Sequence, residues 1–155
     1  MSGRIEARLA ELAIELPSPP APVAAYVPYV QTGNLIFVAG QVSFLGEDRS
    51  STGKVGAELS PEAGKAAARN AALNTLAHLK NACGGNLDRV TRCVSLRIYV
   101  ASAPDFTGQP GVGNGASELV GEIFGDLGKH ARAAVGVTAL PLNCAVEVES
   151  VWEID

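Results

Sequence analysis

A long helix faced with alanine is the strongest constraint this chain places on its own fold. Ser60-Pro61-Glu62 supplies an N-cap, a proline at the first helical position and an acidic first turn, and Gly84-Gly85 supplies the stop. Between them Ala68, Ala72, Leu76, Leu79 and Cys83 recur on one face. A face of such small side chains permits close approach to a sheet. The next segment predicts a strand of that sheet: over residues 92–101, Val94, Leu96, Ile98 and Val100 point one way while Ser95, Arg97 and Tyr99 point the other.

The remaining elements follow from similar patterns. Residues 2–15 predict a short amphipathic helix with apolar Ile5, Leu9, Leu12 and Ala13, stopped by Pro17, Pro19, Pro20 and Pro22. That divides the chain into an N-terminal helix and proline-rich arm, residues 1–22, and a domain of residues 23–155. Residues 26–31 and 35–39 predict a hairpin around Thr32-Gly33-Asn34, with Gly40-Gln41 ending its second strand. Residues 46–56 have the composition of a surface loop or loose hairpin. Leu119, Val120, Ile123 and Phe124 predict a second long helix over residues 116–127, stopped by Gly128. Residues 132–138 and 144–154 predict two further strands joined through Ala139-Leu140-Pro141-Leu142-Asn143. The order helix, ββ, helix, β, helix, ββ is that of an α+β fold, a single sheet with two long helices on one face. The second sheet face is then left with Val, Ala and Gly among its polar residues, and an oligomer closed into a ring would cover it.

Composition narrows the function. At 155 residues the chain fits one domain, and 47% hydrophobic against 18% charged residues is the balance of a compact globular protein. A net charge of −4 with no basic cluster argues against nucleic acid, whose phosphates require grouped Lys and Arg. No apolar run approaches the roughly 20 residues of a membrane span, and Glu6, Glu11 and Glu15 stand where a signal peptide would be basic and apolar. A cytoplasmic protein is expected. Cys83, Cys93 and Cys144 form no C-x-x-C pair and are expected as buried thiols. His78 and His130 lack metal-ligand spacing, so no metal site is expected.

The chemistry concentrates in HARAAVGVTALPLNCAVEVE, residues 130–149. Arg132, Ala134, Gly136 and Thr138 share one face of the first strand, so an arginine stands among small neighbours that leave space beside its charge. Such an arginine offers a fork suited to a bidentate carboxylate, although from spacing alone a structural ion pair or an exposed strand charge is the more ordinary reading. In the last strand Glu147 and Glu149 alternate with Val146 and Val148 and leave the apolar stripe.

GNLIFVAGQV at residues 33–42, together with ARAAVGVTALPLNCAVEVE at 131–149, resembles the reactive intermediate deaminase family, also catalogued as YjgF-like or L-PSP endoribonuclease. The resemblance covers residues 24–154. It implies a fold similar to the chorismate mutases, a homotrimer with three clefts between subunits, and no metal or organic cofactor. It also implies that Arg132 holds a substrate carboxylate, that Glu147 positions or activates water, that Tyr26 lines the cleft, and that Asn114, in the loop before the second long helix, contributes to binding. Ala134 departs from the pattern, since several members carry a reactive cysteine two residues after the arginine. The implied ligand is a small carboxylate-bearing imine or keto acid, and the implied reaction hydrolyses a 2-imino acid to a 2-keto acid and ammonia. If residues 132–138 and 145–151 form a hairpin centred on Pro141-Leu142, residue 147 pairs with 136 and Arg132 lies roughly 13 Å along the strand. The two would then flank a small acid or meet through different subunits.

Three other functions compete. A ribonuclease would most naturally use histidine as acid or base, but His130 precedes the strand, His78 lies on a helix, and the charge disfavours RNA. A trimer that binds small carboxylates without turnover would use the same arginine. A chaperone-like or structural role is the last. Gly111, Gly113 and Gly115 resemble a phosphate loop only superficially, because no Gly-Lys-Ser/Thr follows, and they predict a flexible cleft loop. Arg97 and Tyr99 are expected to pack between sheets, and Trp152 in the core or an interface.

Overall fold

A computed structural model describes residues 3–155. Its elements are α1 (Arg4–Glu11), β1 (Tyr29–Thr32), β2 (Leu35–Val42), α2 (Pro61–Ala82), β3 (Val90–Ala101), α3 (Gln109–Phe124), β4 (Ala131–Val137) and β5 (Val146–Ile154). The strands form one mixed sheet in the order β1-β2-β5-β3-β4, with β4 parallel to β3 and every other pair antiparallel. Helices α2 and α3 cover one face of this α+β fold, and Leu76, Leu79, Ile98, Val148 and Trp152 close the core between the layers. The three cysteines are free and buried in it, and burial pushes the Cys93 thiol up to about 12.

Helix α2 begins and ends where its signals stand. Ser60 Oγ accepts the Ala63 N–H at 3.1 Å, and Gly84 takes the left-handed conformation (φ 65) beyond the last turn. Gly33, at φ 57, turns β1 into β2 through two residues, Thr32 pairing with Leu35.

Five features differ from the pattern reading. The strand β2 does not end at Gly40: its register on β5 shifts between Val38 and Gln41, and the strand continues through this bulge to Val42. A second shift between Cys93 and Ser95 buries Cys93 and leaves Val94 only half-buried, so the alternation in β3 starts two residues late. Helix α1 stops at Glu11, well before the prolines, because Ile14 and Ala13 donate back to the carbonyls of Leu9 (2.9 Å) and Ala10 (3.0 Å), with Ala13 at φ 52. That helix is built into the body: Ile5 and Leu9 join the core, and the Asp88 carboxylate caps its free N–H groups at Arg4 and Ile5, each at 2.8 Å.

Helix α3 begins at Gln109, seven residues before the expected start, so the glycine-rich stretch is helix and not a flexible loop. Its glycines answer to packing. A Cβ on Gly115 would overlap the Lys65 carbonyl of α2, and one on Gly113 would lie 3.0 Å from Ile98 Cδ1. Finally, β4 and β5 form no hairpin. Strand β3 lies between them, and the connection crosses its end, where Ser102 N–H bonds Val137 O (3.2 Å) and Ala101 N–H bonds Ala145 O (2.9 Å). Glu147 therefore pairs with Tyr99 and not with residue 136.

Candidate functional site

Arg132 pairs with Leu96, whose side chain is in the core, so it projects to the helix side of the edge strand β4. There α3 receives it. One Nη1 proton goes to Asn114 Oδ1 (2.8 Å), the other to Ser117 Oγ (3.2 Å), and Nη2 donates to Pro110 O (3.3 Å). Three of five donors are engaged, which fixes the guanidinium plane and leaves Nε–H and one Nη2 proton for a ligand. Next on the same face, Ala134 packs against the core and Gly136 makes room for Gln109 and Ser102. Ser117 is held in turn by His130. The His130 Nδ1 to Gly128 O bond (2.6 Å) places a hydrogen on Nδ1, and Nε2 is hydrogen-bonded to the Ser117 hydroxyl at 2.9 Å. The serine oxygen remains free to accept from Arg132.

Glu147 lies on the other face of the sheet. Its neighbours Val146 and Val148 are buried under the helices, while Glu147 is half-buried on the open side, near the bulge of β2. A Cβ on Gly40 would overlap its Oε1. Gly40 is therefore the residue that lets this carboxylate lie against the backbone. Burial, and secondarily the charge of Glu149, hold the Glu147 carboxyl above the usual carboxylate range. The side chain opens onto a cavity of about 490 Å³ whose wall includes Tyr26, Phe44, Arg49 and His78, with Pro20 and Pro22 of the proline-rich segment closing one side. Tyr26 is 52% exposed there. His78 is buried, which lowers its basicity, and it stands in the wall as a neutral ring.

The four candidate residues thus separate into two pairs. Asn114 joins Arg132, from a helix and not from a loop. Tyr26 joins Glu147. Within one chain the pairs do not meet: two strand spacings and three residues of offset put Arg132 and Glu147 roughly 14 Å apart at their Cα atoms, and they project from opposite faces.

Pattern reading gave Ser117 and Arg49 no part, weighed His130 only as a metal ligand or a ribonuclease acid or base, and took Gly40 as a strand end. Gly40 carried a usable signal, a glycine inside a strand of apolar residues. Ser117 and His130 carried none, because their role depends on where α3 crosses β4.

Residues 6–153 match the family described as "YjgF/chorismate_mutase-like, putative endoribonuclease". Protein TCP17 of Trypanosoma cruzi is 44% identical over 155 residues, an alignment covering 99% of this chain and 96% of TCP17. The 2-iminobutanoate/2-iminopropanoate deaminase of Dermatophagoides farinae is 25% identical over 143 residues, covering 92% and 95%. Among solved structures, Atu1372 of Agrobacterium tumefaciens, a protein of unknown function, superposes with a TM-score of 0.90 at 42% identity, over 97% of this chain and 92% of that one. With nearly its whole length matched by the family description, the chain belongs to the YjgF/chorismate mutase-like family.

Proposed function

We propose that the protein hydrolyses reactive 2-imino acids to 2-keto acids and ammonia in clefts between the subunits of a homotrimer. The observation that carries this reading is the division of the site into two prepared halves on opposite sheet faces. Arg132, held by Asn114 and Ser117, offers two donors to a carboxylate. Glu147 and Tyr26 share a cavity on the other face of the sheet from Arg132. A neighbouring copy that sets its β4 edge against this cavity joins the halves. The open sheet face favours such packing, since Val30 (53% exposed), Phe37 (43%) and Val135 (46%) stand on it uncovered.

In the joined site, Arg132 fixes the substrate carboxylate and so orients the imine carbon. Glu147, with its raised pKa, takes a proton from water as the oxygen adds to that carbon. The proton passes to nitrogen to give a carbinolamine, and its hydroxyl proton follows to the nitrogen as the C–N bond breaks, so that ammonia leaves as the C=O bond forms. The name of the D. farinae relative and the family resemblance both support this chemistry. The test is ammonia and keto-acid release from freshly generated 2-iminopropanoate above the uncatalysed rate. Arg132→Ala should abolish it together with keto-acid binding, and wild-type protein that gives no acceleration would leave carboxylate binding without turnover.

A further inference from the structure

The cavity beside Glu147 is far larger than a three- or four-carbon acid needs. At about 490 Å³ it falls within the range of pockets that enclose whole drug-sized ligands. Its wall is largely apolar, with Pro20, Pro22, Val23 and Phe44, and it contains one permanently charged cation, Arg49. That arginine is held in place: its guanidinium carbon lies 4.6 Å from the centroid of the Phe44 ring, and Nη1 donates to Gly46 O (2.8 Å) and Asp48 O (3.3 Å). Stacking and carbonyl contacts orient the fork without neutralising it. Among the described residues no carboxylate lies within ion-pair distance of Arg49. Its neighbour Asp48 turns instead to the Ser50 N–H at 2.8 Å. Glu147, in the same cavity, is likewise not paired with it.

We propose that this cavity selects acids with a second anionic group at the end of an apolar spacer, and that Arg49 receives that group. The inference rests on the reading above, in which Arg132 of a neighbouring copy takes the first carboxylate and Glu147 serves the imine carbon. A chain of a few methylenes then runs along the apolar wall, and its far carboxylate meets the two-pronged, unpaired guanidinium. The substrate class is a 2-imino diacid, and the product a 2-keto diacid.

Calorimetric titration of the full-length protein with keto acids matched in length tests this. 2-Oxoglutarate and 2-oxoadipate are compared with methyl-ended 2-oxopentanoate and 2-oxohexanoate, and phenylpyruvate reports on bulk alone. The expected result is at least tenfold tighter binding of the diacids, a preference lost in Arg49→Gln and partly kept in Arg49→Lys. Equal binding of diacids and methyl-ended acids, tightest binding of phenylpyruvate, or a preference that survives Arg49→Gln overturns the proposal. If methyl-ended acids bind and lose that binding in Arg132→Ala, yet no diacid preference exists, only this inference falls. If no keto acid binds at all, the carboxylate-site reading falls with it.

Discussion

Burial and the charge of Glu149 keep the Glu147 carboxyl pKa above its ordinary 4.5, so ionising it disfavours the folded state relative to the unfolded chain. The stability contributed by the protonated form is fully present below the unfolded value and is lost as pH rises through the folded one. Glu147→Gln removes the charge while keeping the shape beside Gly40. Its melting temperature should therefore exceed that of the wild type near neutral pH, with the difference shrinking as pH falls through and below the ordinary carboxylate value of 4.5. Thermal unfolding across that pH range checks this. The same substitution should slow imine hydrolysis by roughly 10²–10⁴-fold while keto acids still bind. A variant that is both more stable and fully active would remove Glu147 from the mechanism. Ser117 acts one bond further out. Ser117→Ala leaves one Arg132 donor without its acceptor, and the expected effect is a KM raised about tenfold, the equivalent of one hydrogen bond to a charged group, with kcat little changed; Ser117→Thr should restore it.

Helix α3 carries the acceptors that hold Arg132, and its glycines set how closely it lies on α2 and β3. Gly115 and Gly121 separate the two possible roles of glycine in a helix. At Gly115 a Cβ meets the Lys65 carbonyl, whereas at Gly121 it meets nothing within 4 Å. Gly115→Ala should push the helices apart and destabilise the protein by about 3 kcal/mol, weakening keto-acid binding as Asn114 and Ser117 move with the helix. Gly121→Ala should stabilise by about 1 kcal/mol, the ordinary helix-propensity difference, and leave binding alone. Denaturant unfolding of the two variants gives both numbers, and equal effects would refute the packing argument. The contrast also explains why this segment reads as a loop in sequence. Propensity penalises each glycine, and only the tertiary crossing returns the free energy by letting two backbones approach.

The sheet leaves one face without helices, and on it the apolar side chains of Val30, Phe37 and Val135 stand beside a polar group in which Tyr99 and Arg97 both bond Glu149, at 2.8 and 3.2 Å. A mixed face of this kind suits another protein surface better than water or a hydrophobic core. The expected state is a trimer at micromolar concentration, with sedimentation as the measurement. Phe37→Asp places a charge beside Val30 on this face and should give smaller species. If the site is shared, that variant loses keto-acid binding as well, although Arg132, Glu147 and Arg49 are all intact. A monomeric Phe37→Asp protein that binds as wild type would show that each copy holds a complete site.

Local physics made much of this protein legible in one dimension. Helix α2 and its cap, a turn at Gly33, the buried face of β3 beyond its bulge and the small residues around Arg132 follow from spacing, because each depends on residues within a turn or two of one another. Arg132 and Glu147 stood out from their strands by alternation, but the roles of Arg132, Asn114, Glu147 and Tyr26 were legible only through the family resemblance. Their grouping was not legible. Whether β4 pairs with β5 or with β3 depends on which strand the connection crosses, and a hairpin and a crossover share the same alternation. That single choice places Arg132 and Glu147 on opposite faces, gives Arg132 to α3, and gives Glu147 the cavity under the proline-rich segment. Pairing between distant strands is decided by how the layers close over a shared core, and no window of sequence contains that information.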